Sequence, residues 1–142
     1  MRSNTRSYIA AIVAAAGALG VGSVAWACTS QEGTTVTLPA TGSAGAATNI
    51  AATAAGVVSG NAGDRWNLRY TTVAAFVASG HSMPCHGNFD ASSSIGSGTQ
   101  TSLSTVSGTG TVPAQPAGTA GLVCFWSSAN NAVTNPALFT VL

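Results

Sequence analysis

The sequence predicts an all-β sandwich or barrel, and three observations carry that expectation. Short runs alternate hydroxyl-bearing and apolar side chains. Clusters of Gly, Pro and Asn separate those runs at strand-length intervals. Downstream of the first 27 residues, no segment shows a convincing amphipathic helical period.

Residues 1–27 read as an export signal outside the fold. Arg2 and Arg6 supply the positive start, Tyr8 to Val24 is uncharged and rich in Ala, Val, Ile and Gly, and Ala25-Trp26-Ala27 offers the small residues that signal peptidase needs. That apolar run falls short of the roughly 20 residues of a spanning helix, and no later stretch resembles one. The expectation is cleavage before Cys28, which leaves residues 28–142 as one secreted or cell-surface domain with no membrane span. The bulky Trp26 beside the cleavage point argues against lipidation of Cys28.

Only 5% of the residues are charged and lysine is absent, so solubility rests on Ser, Thr, Asn and Gly. Residues 28–142 carry Arg65 and Arg69 against Glu32, Asp64 and Asp90. Binding a polyanion requires several cations along one surface, so nucleic acid is not an expected partner. Export implies an oxidising compartment in which cysteines pair.

The predicted strands run in order through Thr34 to Leu38, Thr48 to Ala54, and Arg65 to Thr72, where Trp66, Leu68 and Tyr70 share a face. Val73 to Ala78 continues that strand or forms a short one beside it. Thr101 to Val106 and Gly108 to Val112 are β-prone, Leu122 to Trp126 reads as a buried central strand, and Ala137 to Leu142 as the last. That makes roughly seven short strands. The Ser/Thr/Gly-rich stretch from Ala91 to Gly110 suits an edge strand or a long loop, and offers hydroxyls for O-glycosylation. Residues 28–142 contain no Asn-x-Ser/Thr sequon.

A core built largely of Ala, Val and Thr gains from a cross-link, and Cys28, Cys85 and Cys124 are available. Cys124 lies in the most buried-looking strand and Cys85 in a loop that a bridge ties to it. Cys85–Cys124 is the favoured pair and closes a loop of about 40 residues, worth roughly 3–4 kcal/mol. Pairings of Cys28 with either remain open. The spare cysteine, Cys28 in the favoured scheme, is either free or joins two chains as a dimer.

In several segments the chain resembles small exported immunoglobulin-like β-sandwich proteins of actinobacteria. These segments are the start Ala27-Cys28-Thr29, the turn-bearing TTVTLPATGSAG, the aromatic DRWNLRY, and Gly110-Thr111-Val112-Pro113. Pro116-Ala117-Gly118, Val123-Cys124-Phe125 and the closing Phe139-Thr140-Val141 complete the set. The resemblance implies an Ig-like surface or secreted module in the cell envelope, with an extracellular or cell-wall partner. It brings no catalytic residues. The antibody-type core differs, because Leu122 stands where that pattern has a tyrosine two before the second cysteine.

Four further motifs have a chemical interpretation. Leu38-Pro-Ala-Thr-Gly42 matches a sortase signal, but a whole domain follows it, so a strand end and turn is expected. Gly80-His-Ser-Met-Pro84 approximates a nucleophile elbow but carries Pro84 where the fifth glycine belongs, and only His86 and Asp90 follow as partners for Ser82. No enzyme activity and no cofactor are therefore expected. His81, Met83, Cys85 and His86 are the alternative, a small copper or zinc site, since imidazole with thiolate or thioether suits those metals. Finally, Trp66, Tyr70, Phe76, Phe125, Trp126 and Phe139 are expected mainly in the core. Phe125 and Trp126 are adjacent and must face opposite ways, which makes Trp126 the candidate for surface contact.

Overall fold

The computed structural model describes residues 30–32, 41–85 and 91–142. The expected signal segment 1–27, Cys28, the strand expected at Thr34 to Leu38, His86 and Asp90 all lie outside the described residues.

Nine strands and one short helix make up the described chain. In order they are β1 (Ser30–Glu32), β2 (Thr41–Gly42), β3 (Thr48–Ala55), β4 (Arg65–Thr72), α1 (Val73–Ser79), β5 (Ser93–Ser102), β6 (Thr105–Val112), β7 (Ala120–Ser127), β8 (Ala132–Thr134) and β9 (Ala137–Val141). The all-β class is as expected. The strands form one hydrogen-bonded sheet, ordered β1-β8-β7-β4-β5-β6-β3, with β9 also on β7 and β2 on β9. Strands β8 and β9 divide one edge of β7 between them: β8 pairs with Trp126 and Ser127, and β9 with Ala120 to Val123. The short β1 and β2 run parallel to β8 and β9.

The sheet curls so that its two ends share a core. Ile50, Ala52 and Ala54 of β3 belong to the same buried cluster as Trp66, Leu68 and Tyr70 of β4, Phe125 of β7, and Phe139 and Val141 of β9. Closure is tight where β2 meets β3, since a Cβ on Gly42 would lie 2.5 Å from Thr48 Oγ1 and 2.7 Å from Phe139 Cζ. The strict alternation of β3, inner residues buried and outer ones exposed, is what one covered face produces.

Two expectations need correction. Val73 to Ala78 is not a strand. Thr72 caps a helical turn there by accepting from the Ala75 N–H at 3.0 Å, and Gly80 ends it at φ 70°. Ala-rich VAAFVAS tolerates the helix, and its one large side chain, Phe76, is buried. The stretch from Ala91 to Gly110 is not a long loop or an edge strand either. Most of it forms β5 and β6, both interior to the sheet, which turn at Leu103-Ser104 in the middle of the strand expected at Thr101 to Val106.

Glycine explains how so polar a stretch lies inside the sheet. Gly96 faces Gly110 and Gly98 faces Gly108 across β5 and β6, on the inner face. A Cβ on Gly98 would stand 2.6 Å from Phe125 Cε1, so the large β7 ring lies directly on bare backbone.

Candidate functional site

Strand β7 is buried on both faces, and the segment responsible contains the motif-rich loop. Alternation sends Val123 and Phe125 into the main core. Leu122, Cys124 and Trp126 then face the other side, yet they are buried too. Helix α1 packs against β4 and β7. The loop that follows the helix returns Cys85 to Cys124, whose sulfurs lie within bonding distance with the Cα atoms 6.0 Å apart. Met83 is fully buried there and forms a small second core with Trp126 and Val133.

Arg69 secures the far end of this cap. It lies on β4 directly opposite Cys124. Its Nε donates to Ser92 Oγ and its NH2 to the Ser92 carbonyl, both at 2.8 Å. The guanidinium also sits 5.6 Å from the centroid of the Trp126 ring, a cation–π distance. The chain is therefore held at Cys85 by sulfur and at Ser92 by the guanidinium.

This arrangement corrects the expectation for Trp126. Adjacent Phe125 and Trp126 do point to opposite faces, but Trp126 is only 7% exposed because the cap covers it. It is no surface contact. The favoured pair Cys85 and Cys124 is brought together, which takes Cys85 out of the alternative metal set, whose His86 lies outside the described residues. Cys85 is engaged with Cys124, Met83 is packed on Trp126, and His81 is partly exposed. Among the described residues no group of three or more His, Cys, Asp or Glu side chains converges. Nor is any helix among them long and apolar enough to cross a membrane.

Two shallow grooves lie elsewhere. One, of about 410 Å³, runs over the β3–β6 ladder between Asn49, Ile50 and Ala51 and the facing Thr109, Gly110 and Thr111, with Thr111 Oγ1 donating to Asn49 Oδ1 at 2.8 Å. The other, of about 540 Å³, lies between the start of α1 and the 115–120 turn, where Pro116 and Val73 contribute apolar surface. Neither is lined by a titratable side chain, so both suit neutral contact better than proton transfer.

Sequence reasoning missed the burial of Gln100. Gln100 is fully buried at the end of β5, where its Oε1 accepts from Trp66 Nε1 at 3.2 Å and its backbone binds the 63–64 turn. Tyr70, 4% exposed, has its hydroxyl buried without a hydrogen-bond partner, and desolvation raises its pKa. A glutamine among Ser, Thr and Gly carries no local signal of burial; only the indole it meets explains it. No protein-family model matches the sequence, and no curated protein or solved structure matches it either.

Proposed function

We propose that this chain is a non-enzymatic, exported β-sandwich module of Ig-like type, serving a structural or interaction role in the cell envelope or outside the cell, as the actinobacterial resemblance implies. The observation that carries the proposal is the buried Cys85–Cys124 pair clamping a cap over the β4–β7 face. A fold that relies on such a cross-link belongs in an oxidising compartment. The outer face supports the same proposal. Its exposed positions on β3, β5 and β6 are mainly Thr, Ser, Asn and Ala, a neutral surface suited to many weak contacts with a cell-wall or extracellular partner.

Intact-mass analysis of the protein recovered outside expressing cells tests this proposal. The expected mass is that of residues 28–142 less two hydrogens for one disulfide, with any O-glycan as a discrete addition. A full-length chain retained in the cytosol with reduced thiols would sink it. Incubation of the oxidised protein with ester, peptide and glycoside substrates should show no turnover; turnover lost in Ser82→Ala would establish a hydrolase instead.

A further inference from the structure

Residues 80–85 cover part of the outer face of β7 and belong to no strand, so every ladder of the described sheet forms without them. Their buried side chains also stand apart from the main core. Met83 packs with Trp126 and Val133 in the small second core, and Cys85 meets Cys124, whereas the main cluster contains none of residues 80–85. Gly80 opens the segment at φ 70°, where it ends α1, and a Cβ there would meet nothing within 4 Å. On the other side of that glycine, α1 keeps its own anchor, the fully buried Phe76. A pivot, a separate small core and a covalent tie therefore meet in six residues.

We infer that residues 80–85 form a redox latch. With the bond between Cys85 and Cys124 made, the latch seals Trp126 under the outer face of β7. With both cysteines as thiols, it swings out about Gly80 while the barrel stays closed. Without the bond, the packing of Met83 must offset the backbone entropy of six ordered residues, and a core of three side chains is too small for that. Units that bury least open first, while the strands they cover keep their protection. The chemistry is thiol–disulfide exchange with a dithiol reductant. One thiolate of the reductant attacks a sulfur of the pair and releases the other, which takes up a proton. The second thiolate of the reductant then attacks the mixed disulfide and frees the remaining cysteine. The protein gains two electrons and two protons, and the reductant leaves as a cyclic disulfide. Cys85 is 1% exposed and Cys124 0%, so the attack waits for a transient opening and the closed latch resists reduction kinetically.

Hydrogen exchange of the protein carrying Cys28→Ser, before and after reduction by dithiothreitol without denaturant, tests the inference. Reduction should speed exchange of the amides in residues 81–85 by about tenfold or more, with β3, β5 and β6 staying within about twofold of the oxidised protein. Adding Cys85→Ser gives a second reading that needs no reductant. Its Cys124 thiol should be alkylated by iodoacetamide under native conditions, faster than the protein unfolds globally. Unchanged exchange in residues 81–85 after reduction would show that packing alone closes the segment. Protection lost equally from β5 and β6 would show that the bond holds the whole barrel. Either result, or alkylation of Cys124 only at the rate of global unfolding, overturns the inference.

Discussion

Strands β4 and β7 and strands β5 and β6 are neighbours in one sheet, and they solve opposite packing problems. The first pair carries bulk on both faces: Trp66, Leu68, Tyr70 and Phe125 inside, Leu122, Cys124 and Trp126 under the cap. The second pair carries little at its middle, where glycines face each other inside and hydroxyls lie outside, with Gln100, Val106 and Val112 filling the inner face only toward the strand ends. The two depend on each other. Leu68 and Phe125 project onto the bare backbone of Gly110 and Gly98, where a Cβ would come within 3.0 Å and 2.6 Å of them. Side-chain volume, more than hydrophobicity, decides which strand is which, since interiors pack to near-crystalline density and leave no slack for an extra methyl.

Removing the cap from the bulky half should have the largest effect. The bridge spans 39 residues, and the paired change Cys85→Ala with Cys124→Ala should cost about 3–4 kcal/mol in chemical denaturation. It should also shift Trp126 fluorescence to the red as the cap opens. A wild-type midpoint in the double variant would show that the second core holds by packing alone.

The bare half is next. Gly98→Ala should destabilise by about 1–3 kcal/mol through its clash with the Phe125 ring. Adding Phe125→Leu should return part of that loss, a non-additivity of at least about 0.5 kcal/mol expected only of residues in contact. Strict additivity would separate the two halves that the structure joins.

Arg69→Ala removes both hydrogen bonds to Ser92 and the contact with Trp126. A loss of about 1–2 kcal/mol is expected, with faster amide exchange near Ser92 and little change in β5 and β6. Exchange that rises equally in both halves would contradict a local clamp.

Tyr70 provides a pH test of the shared core. Burial raises its folded pKa above the unfolded value, near 10. Stability is therefore intact below that pH and falls as pH climbs toward the folded pKa, because only the unfolded chain ionises readily. Tyr70→Phe should abolish this alkaline loss and, with no hydrogen bond to break, change stability at neutral pH by less than about 1 kcal/mol. An unchanged alkaline slope would assign it to another group.

The smallest effect belongs to the outer hydroxyl face. Thr111→Val breaks an exposed hydrogen bond to Asn49 and should alter stability by no more than about 0.5 kcal/mol. A larger loss would mean that the outer face, and not only the glycine face, helps hold β3 on β6.

Sequence period located most of the sheet. Arg65 to Thr72 forms β4 as expected, with Trp66, Leu68 and Tyr70 inward, and LVCFW lies within central β7. The pairing of Cys85 with Cys124 was also visible, from a loop cysteine and a strand cysteine. Three features were not. The helix at Val73–Ser79 depends on caps at Thr72 and Gly80 that a β-prone VAAFVA conceals. The interior position of β5 and β6 depends on what their glycines meet. The burial of Trp126 depends on a segment some forty residues upstream folding back over it.

What the sequence by itself determined is local: strand period, turn positions, a surface almost without charge, and a cysteine pair able to close a loop. Each follows from the side chain's own chemistry and its spacing along the chain. Tertiary structure alone decided which face of a strand meets solvent and which glycines must stay bare. It also decided whether the motif-rich loop opens a pocket or seals a face, and it sealed one. Burial is set by partners distant in sequence, and residues such as Met83 and Val133 find Trp126 only once β4, β7 and the cross-linked cap are in place.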